Sequence, residues 1–196
     1  MKPRTHKLKA DRQALDGASD GELFEGMARG DLGPLGELFD RHHASVRAFA
    51  ERVLLNPADA DDLVQETFLS ASRAAASFEA GAAAKPFLLG VAAQLARRRR
   101  RSFARLRGLL SAFESLPKAP RATPEEELLA GREHASFHAA LARLSHPHRE
   151  VLLMVDLGGL SGVDAAKALG VPAGTVWRRL HEARSALRVS LQRRTP

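Results

Sequence analysis

No cysteine occurs among the 196 residues, so disulfides and thiolate metal sites are excluded. Tyrosine is also absent, tryptophan occurs once and aromatics make up only 5%, so any core must rest on Leu, Val, Ala and Phe. No apolar run approaches the roughly 20 residues that span a bilayer. The basic start, Met1 to Lys9, lacks the apolar stretch of a secretory signal. Apolar and polar residues never alternate for long, which argues against strands and leaves an all-α chain. Phosphate-cradling Gly-rich loops, nucleophile elbows and the His-Glu-x-x-His pattern are missing as well. An enzyme is therefore not expected, nor is a cofactor or a metal. The expected location is the cytoplasm, with no membrane partner.

What is present is charge and helical periodicity. The formal net charge is +7 and the sequence pI about 10.7, a balance that favours a polyanionic partner. Hydrophobic residues make up 44%, enough for packed cores. Residues 1–18 show no apolar period and read as a flexible basic tail. Ser19 and Glu22 form a capping-box pattern ahead of Leu23, Phe24 and Met27. After a break at Gly30 to Pro34, residues Leu35, Leu38, Phe39, His42, Val46, Phe49, Ala50 and Val53 make one apolar stripe. Asn56-Pro57 signals a new helix, with Leu63, Val64, Phe68 and Ala71 inward and Asp62, Gln65, Glu66 and Leu69 on the other side. Glu79 to Ala84 is a loop of small residues. The next helix turns Phe87, Leu88, Val91, Ala92 and Leu95 inward and runs into Arg97, Arg98, Arg99, Arg100 and Arg101.

From Phe103 the pattern weakens, and Pro117, Pro120 and Pro124 interrupt it. The expected organisation is two small helical domains, 19–103 and 124–194, joined by a flexible linker over 104–123. Thr123, Pro124 and Glu126 form a second capping-box pattern that would open the later domain. Its end divides into a short apolar helix at Val151 to Val155, a Gly158-Gly159 turn, a helix from Ser161 to Leu169, a turn at Gly170, and a last helix from about Ala173 to Gln192.

That last pair has the requirements of a helix-turn-helix. Ala166 is small where the helices cross, Gly170 suits the turn, and Val176 and Leu180 pin the second helix, with Val163 and Leu169 completing the contact from the first. At 100° per residue, Val176, Leu180, Ala183 and Leu187 fall on the buried face. Arg178, His181, Glu182 and Ser185 fall opposite, with Trp177 and Arg184 on the flank. Arg178 suits a bidentate bond to guanine, whereas Arg179 and Arg184 suit phosphates. Trp177 fits a partly buried anchor as well as it fits a DNA contact. From Leu141 onward nine basic side chains face four acidic ones, so the basic surplus lies on this motif.

Segments Ala140–Met154, Gly159–Ser161 and Ala165–Arg184 resemble region 4 of extracytoplasmic-function sigma factors, the small members of the sigma-70 family. Independently, Leu38–His42, Asn56–Phe68 and Phe87–Ala92 resemble region 2 in the same order. The resemblance implies a promoter-recognition subunit whose partners are core RNA polymerase and promoter DNA, and often an anti-sigma factor. It implies that Asp62, Gln65 and Glu66 dock on the polymerase clamp. Lys85, Gln94 and Arg97 to Arg101 would hold the opened minus-ten strand. Thr175, Trp177, Arg178, Arg179, His181, Glu182 and Arg184 would read the minus-thirty-five element.

The chain departs from the family pattern in places. Phe87 stands where Trp is common, and Ala93-Gln94 where Arg-Asn is usual. Trp177 replaces a usual Lys or Arg, Arg178 a small polar residue, and Glu182 a frequent Arg. A rival reading, a stand-alone helix-turn-helix regulator, accounts for the later half but leaves the Asp62 helix and the arginine run without purpose. The histidines, including His134 and His138 four apart, His42-His43, His146 and His148, read as solvated or capping groups.

Overall fold

The computed structural model describes residues 17–110 and 131–192. The expected basic tail, except its last two residues, most of the linker, and the capping box at Thr123 to Glu126 lie outside them. Every regular element among the described residues is helical.

The first is α1, Asp20–Ala28, opened by the Ser19 capping box: Glu22 N–H donates to Ser19 Oγ at 3.3 Å and Ser19 N–H to the Glu22 carboxylate at 2.6 Å. Leu23, Phe24 and Met27 are buried. Helix α2, Gly33–Leu54, buries Leu38, Val46, Phe49, Ala50 and Val53. It stops because Leu55 turns left-handed, at φ 58°, a conformation that a side chain resists and that here is held by its N–H donating to Glu51 O at 3.0 Å. Asn56 then accepts from Ala58 N–H and donates to Asp59, setting a 3-10 turn at Pro57–Asp59 ahead of α3, Ala60–Arg73. Leu63, Val64, Phe68 and Ala71 face inward, and the buried Thr67 hydroxyl is satisfied by Leu63 O at 2.7 Å.

Helix α4, Ala84–Leu110, is longer than its apolar pattern suggests, continuing seven residues into the stretch expected as linker. Its buried side chains are Ala84, Leu88, Leu89, Ala92, Ala93, Leu95 and Ala96. At 100° per residue they cover an arc of about 180°, wider than the stripe of a helix with one neighbour. The reason is that α4 packs on α2 and α3 and also meets the second helical group.

That group comprises α5, Gly131–Arg143; α6, His146–Leu152, which unwinds into a π-helical turn at Leu153–Leu157; α7, Gly162–Leu169; and α8, Ala173–Gln192. Ser161 caps α7, accepting from Asp164 N–H at 3.1 Å, and Gly170 makes the turn at φ 65°. Val176, Leu180 and Ala183 pin α8, while Leu187 is only partly covered. Val163 does not complete this contact. It sits in the first turn of α7 and is 67% exposed, and Ala165, Ala166 and Leu169 carry the packing instead.

The two groups share a seam. A β-carbon on Gly90 of α4 would stand 2.8 Å from the carbonyl oxygen of Ala168, so the helices α4 and α7 meet there nearly backbone to backbone. Arg149, 8% exposed, donates to Leu141 O, Leu144 O and, across the seam, Val53 O, each at 3.0 Å. Burial first, and the like charge of Arg100 second, pull its guanidinium below the usual arginine range, with Glu150 opposing. Glu150, 3% exposed, receives Arg97 at 2.8 Å and lies 3.2 Å from His146. Lys167 of α7 pairs with Glu79 of the loop before α4.

Two outcomes follow. Arg149→Met, which roughly keeps volume but removes every bond that the guanidinium gives to these carbonyls, should lower unfolding free energy by about 3 kcal/mol in a denaturant titration. Gly90→Val should push α7 off α4. Because the chain has no cysteine, paired dyes on cysteines introduced in α3 and α8 will report it as a longer distance than in the parent. An unchanged distance would mean that the seam tolerates a side chain.

Candidate protein and nucleic-acid interfaces

The outer edge of α3 is the first surface. Asp62 and Gln65 are exposed, and Leu69, one further turn along, is 49% exposed between polar neighbours. Glu66 lies beside them but is not free. Arg99 holds its carboxylate at 2.8 Å and also donates to Asp59 O at 3.3 Å. Acids in a first helical turn are favoured by the helix dipole, which accounts for Asp61 and Asp62 but not for Gln65 and Glu66 further on. An exposed apolar residue ringed by acid and amide groups suits a basic, partly apolar protein surface. Leu69 belongs to this patch, and its outward position was legible from helical spacing.

The second surface lies at the start and middle of α4. Phe24 stacks on Phe78 with centroids 4.0 Å apart, and Phe87 meets both edge-on at 5.2 and 5.4 Å. Phe78 and Phe87 line an open cavity of about 780 Å³ with Pro86, Val91, Gln94 and Arg97. Its far wall is α7, through Asp164, Lys167 and Ala168. Lys85 is not part of it. That side chain borders a separate, smaller hollow with Arg52, Leu89 and Leu157. The five arginines do not form one stripe either, because consecutive residues point 100° apart. Arg97 turns to Glu150 and Arg99 to Glu66, while Arg98, Arg100 and Arg101 are exposed. The run is thus divided among a seam, an intradomain ion pair and open solvent.

The third surface is the face of α8. Arg178 and His181 are exposed, and Thr175 and Arg179 are partly covered. Trp177 is 53% exposed, yet its benzo ring lies against Gly162 of α7, so it is an anchor on one side and an open surface on the other. Glu182 is bound by His148, whose Nε2 is 2.7 Å from the carboxylate and whose Nδ1 is 2.6 Å from Ser145 Oγ. This hydrogen bond is the main cause that holds the Glu182 carboxyl below its usual range, aided by the charges of His148, Arg178 and His181. Arg184 is exposed and paired with Asp156 through two bonds, at 3.0 and 2.5 Å, so a phosphate would have to compete with that carboxylate for it. The role of His148 was not visible in the sequence, since it depends on α6 and α8 meeting 34 residues apart. His42 and His146 are likewise engaged, with Asp20 and Glu150. Among the described residues no three His, Asp or Glu side chains gather as a metal site, and no helix is long and apolar enough to cross a membrane.

Comparison with known proteins assigns both halves. Residues 38–106 match the family Sigma-70 region 2, and residues 134–187 match Sigma-70, region 4. The chain is 31% identical over 181 residues to the RNA polymerase sigma factor NccH of Alcaligenes xylosoxydans xylosoxydans, covering 90% of this chain and 97% of that one. It is 35% identical over 171 residues to the ECF RNA polymerase sigma factor SigM of Mycobacterium tuberculosis, covering 86% and 83%. The fold is shared with CnrH, solved in complex with the cytosolic domain of CnrY, at TM-score 0.68 and 24% identity over 91% of this chain and 100% of that one. It is also shared with the sigma factor RpoE of Bartonella quintana, solved in complex with the anti-sigma factor NepR, at TM-score 0.66 and 26% identity over 82% and 98%. Two family matches in the correct order, joined to relatives similar over nearly their whole length, place this chain in the extracytoplasmic-function group of the sigma-70 family, as an RNA polymerase sigma factor that binds the core enzyme and directs promoter-specific initiation.

Proposed function

We propose that the two helical groups divide this task between them. Residues 19–103 carry core-polymerase and minus-ten binding, residues 124–194 carry minus-thirty-five binding, and 104–123 connects them, with α4 reaching into the connector. On this reading Asp62, Gln65 and Glu66, with Leu69, dock on polymerase. Gln94 and the aromatic wall of Phe78 and Phe87 take unstacked bases of the opened strand, and Arg98, Arg100 and Arg101 take its phosphates. Arg178 and Glu182 face base edges from α8, with Thr175, Arg179 and His181 beside them. The chain contributes no bond-making group to this scheme, acts as a non-enzymatic factor where polymerase works in the cytoplasm, and leaves catalysis to the core.

The observation that carries the reading is the contrast between the surfaces. The α3 edge is open to a partner, whereas the aromatic-walled cavity of α4 is bounded on its far side by α7. On this reading a strand entering the cavity passes between the two helical groups, and Arg97 reaches it only by leaving Glu150. The likeness to RpoE, solved with the anti-sigma factor NepR, supports an anti-sigma factor as a regulator of this chain as well. The rival, a regulator that binds duplex DNA alone, needs neither the α3 edge nor the cavity. Co-purification with core polymerase followed by run-off transcription separates the two.

Arg178→Ala is expected to weaken initiation at the cognate promoter about 10- to 100-fold, the loss of one bidentate base contact, while core binding is unchanged. Full promoter selectivity in the variant would remove Arg178 from the reading face. Asp62→Lys should weaken the affinity for core polymerase at least tenfold in a competition assay, and Glu66→Lys should do the same while also opposing Arg99. Unchanged affinity in both would move the docking surface elsewhere.

A further inference from the structure

Gly162 is the first residue of α7, directly after its cap Ser161, and it is buried. A buried position without a side chain raises the question of what fills the space beside it. Backbone conformation does not call for glycine here, since Gly162 is absent from the left-handed residues, unlike Gly159 and Gly170. Space does. A β-carbon at this position would stand 2.3 Å from Cζ2, 2.7 Å from Cε2 and 2.8 Å from Cη2 of Trp177. The benzo edge of the indole lies where any side chain at 162 would have to be.

Trp177 is the chain's only tryptophan and the fifth residue of α8, within the first two turns, the part of such a helix that enters a major groove. Its side chain carries no charge to offer a phosphate. It offers a flat apolar surface, here fixed on one side by the glycine and 53% exposed on the other. In the major groove the apolar feature that tells one base from the others is the 5-methyl group of thymine.

We propose that Gly162 is a positioning residue that holds Trp177 as a rigid apolar reader of thymine methyl groups in the upstream promoter element. The inference rests on the reading of α8 as the minus-thirty-five reader, and adds to it the base feature recognised and the residue that sets the geometry. Pinning the ring in advance removes the rotamer entropy that a free side chain would lose on binding, so the fixed indole gains more from each methyl contact.

The test uses holoenzyme reconstituted from core polymerase and the full chain. The preferred upstream element is first selected from a randomised library, and each thymine in it is then replaced singly by deoxyuridine, which deletes the methyl and nothing else. Parent holoenzyme should lose about three- to tenfold in affinity at one or two of these positions. Trp177→Ala should bind more weakly and become indifferent to those replacements. Gly162→Ala should lose most of the methyl sensitivity, and should add no further loss when combined with Trp177→Ala. A tryptophan that only packs the domain would lower the melting temperature on mutation and leave the methyl sensitivity intact, which overturns the proposal. So does an upstream element selected without thymine, or one indifferent to deoxyuridine. If Gly162→Ala does not fold, parent against Trp177→Ala on the two templates still decides the matter. A library that returns no upstream preference at all instead removes the reading of α8 on which the inference stands.

Discussion

Between Ala84 and Ala96 helix α4 is buried over half its circumference, and the way the two helical groups meet depends on that. One side of it completes the core made with α2 and α3, and the other meets α7 at Gly90, where the approach leaves no room for a β-carbon. A helix so enclosed can present outward only what lies on the remaining arc. Gln94, Arg98 and Arg101 fall there, while Arg97 is drawn into the seam. The α7 wall of the cavity therefore arises from the same packing that buries α4 on two sides.

Polar groups, rather than apolar area alone, fix how the second helical group sits on the first. Arg149 ties the end of α5 to the end of α2 through main-chain carbonyls, a geometry that a planar guanidinium satisfies and a lysine could not. Glu150, the next residue, collects Arg97 from the opposite group. Adjacent residues of opposite charge thus face different partners, and each leaves its neighbour's bonds intact. Buried charges of this kind add little net stability but penalise any alternative register of the seam, since a slip would strand them unpaired.

Much of this was legible in the amino-acid order. The capping box at Ser19, the stop and restart at Asn56-Pro57, the cap at Ser161 and the turn at Gly170 are local devices, written in residues next to one another, and the structure holds each where the pattern placed it. The inward residues of α3 and the pins of α8 followed from period alone. What escaped was non-local. The second buried side of α4, at Leu89, Ala93 and Ala96, rests on one leucine beside the expected stripe and on two alanines that fit solvent or core equally well until a neighbour is known. Val163 failed because at 100° per residue it falls about 100° from the face that Gly162, Ala165, Ala166 and Leu169 bury. The pairing of Arg184 with Asp156 and of Glu182 with His148 joins residues 28 and 34 apart, and no spacing rule announces such contacts.

The bond between Arg99 and Glu66 joins two elements that the proposed scheme assigns to different macromolecules. A carboxylate drawn toward a partner's cation cannot also hold the guanidinium, and a guanidinium drawn to a phosphate cannot hold the carboxylate. Each ligand thus relieves the other of the work of breaking the same contact. By thermodynamic reciprocity, whatever tightening one event confers on the second must be returned in equal measure. A single surface ion pair is worth about 1 kcal/mol at most, so this coupling is a nudge of a few fold. If Arg99 turns to a phosphate in the proposed scheme, the coupling is cooperative: the chain would take hold of nucleic acid more readily once it has company.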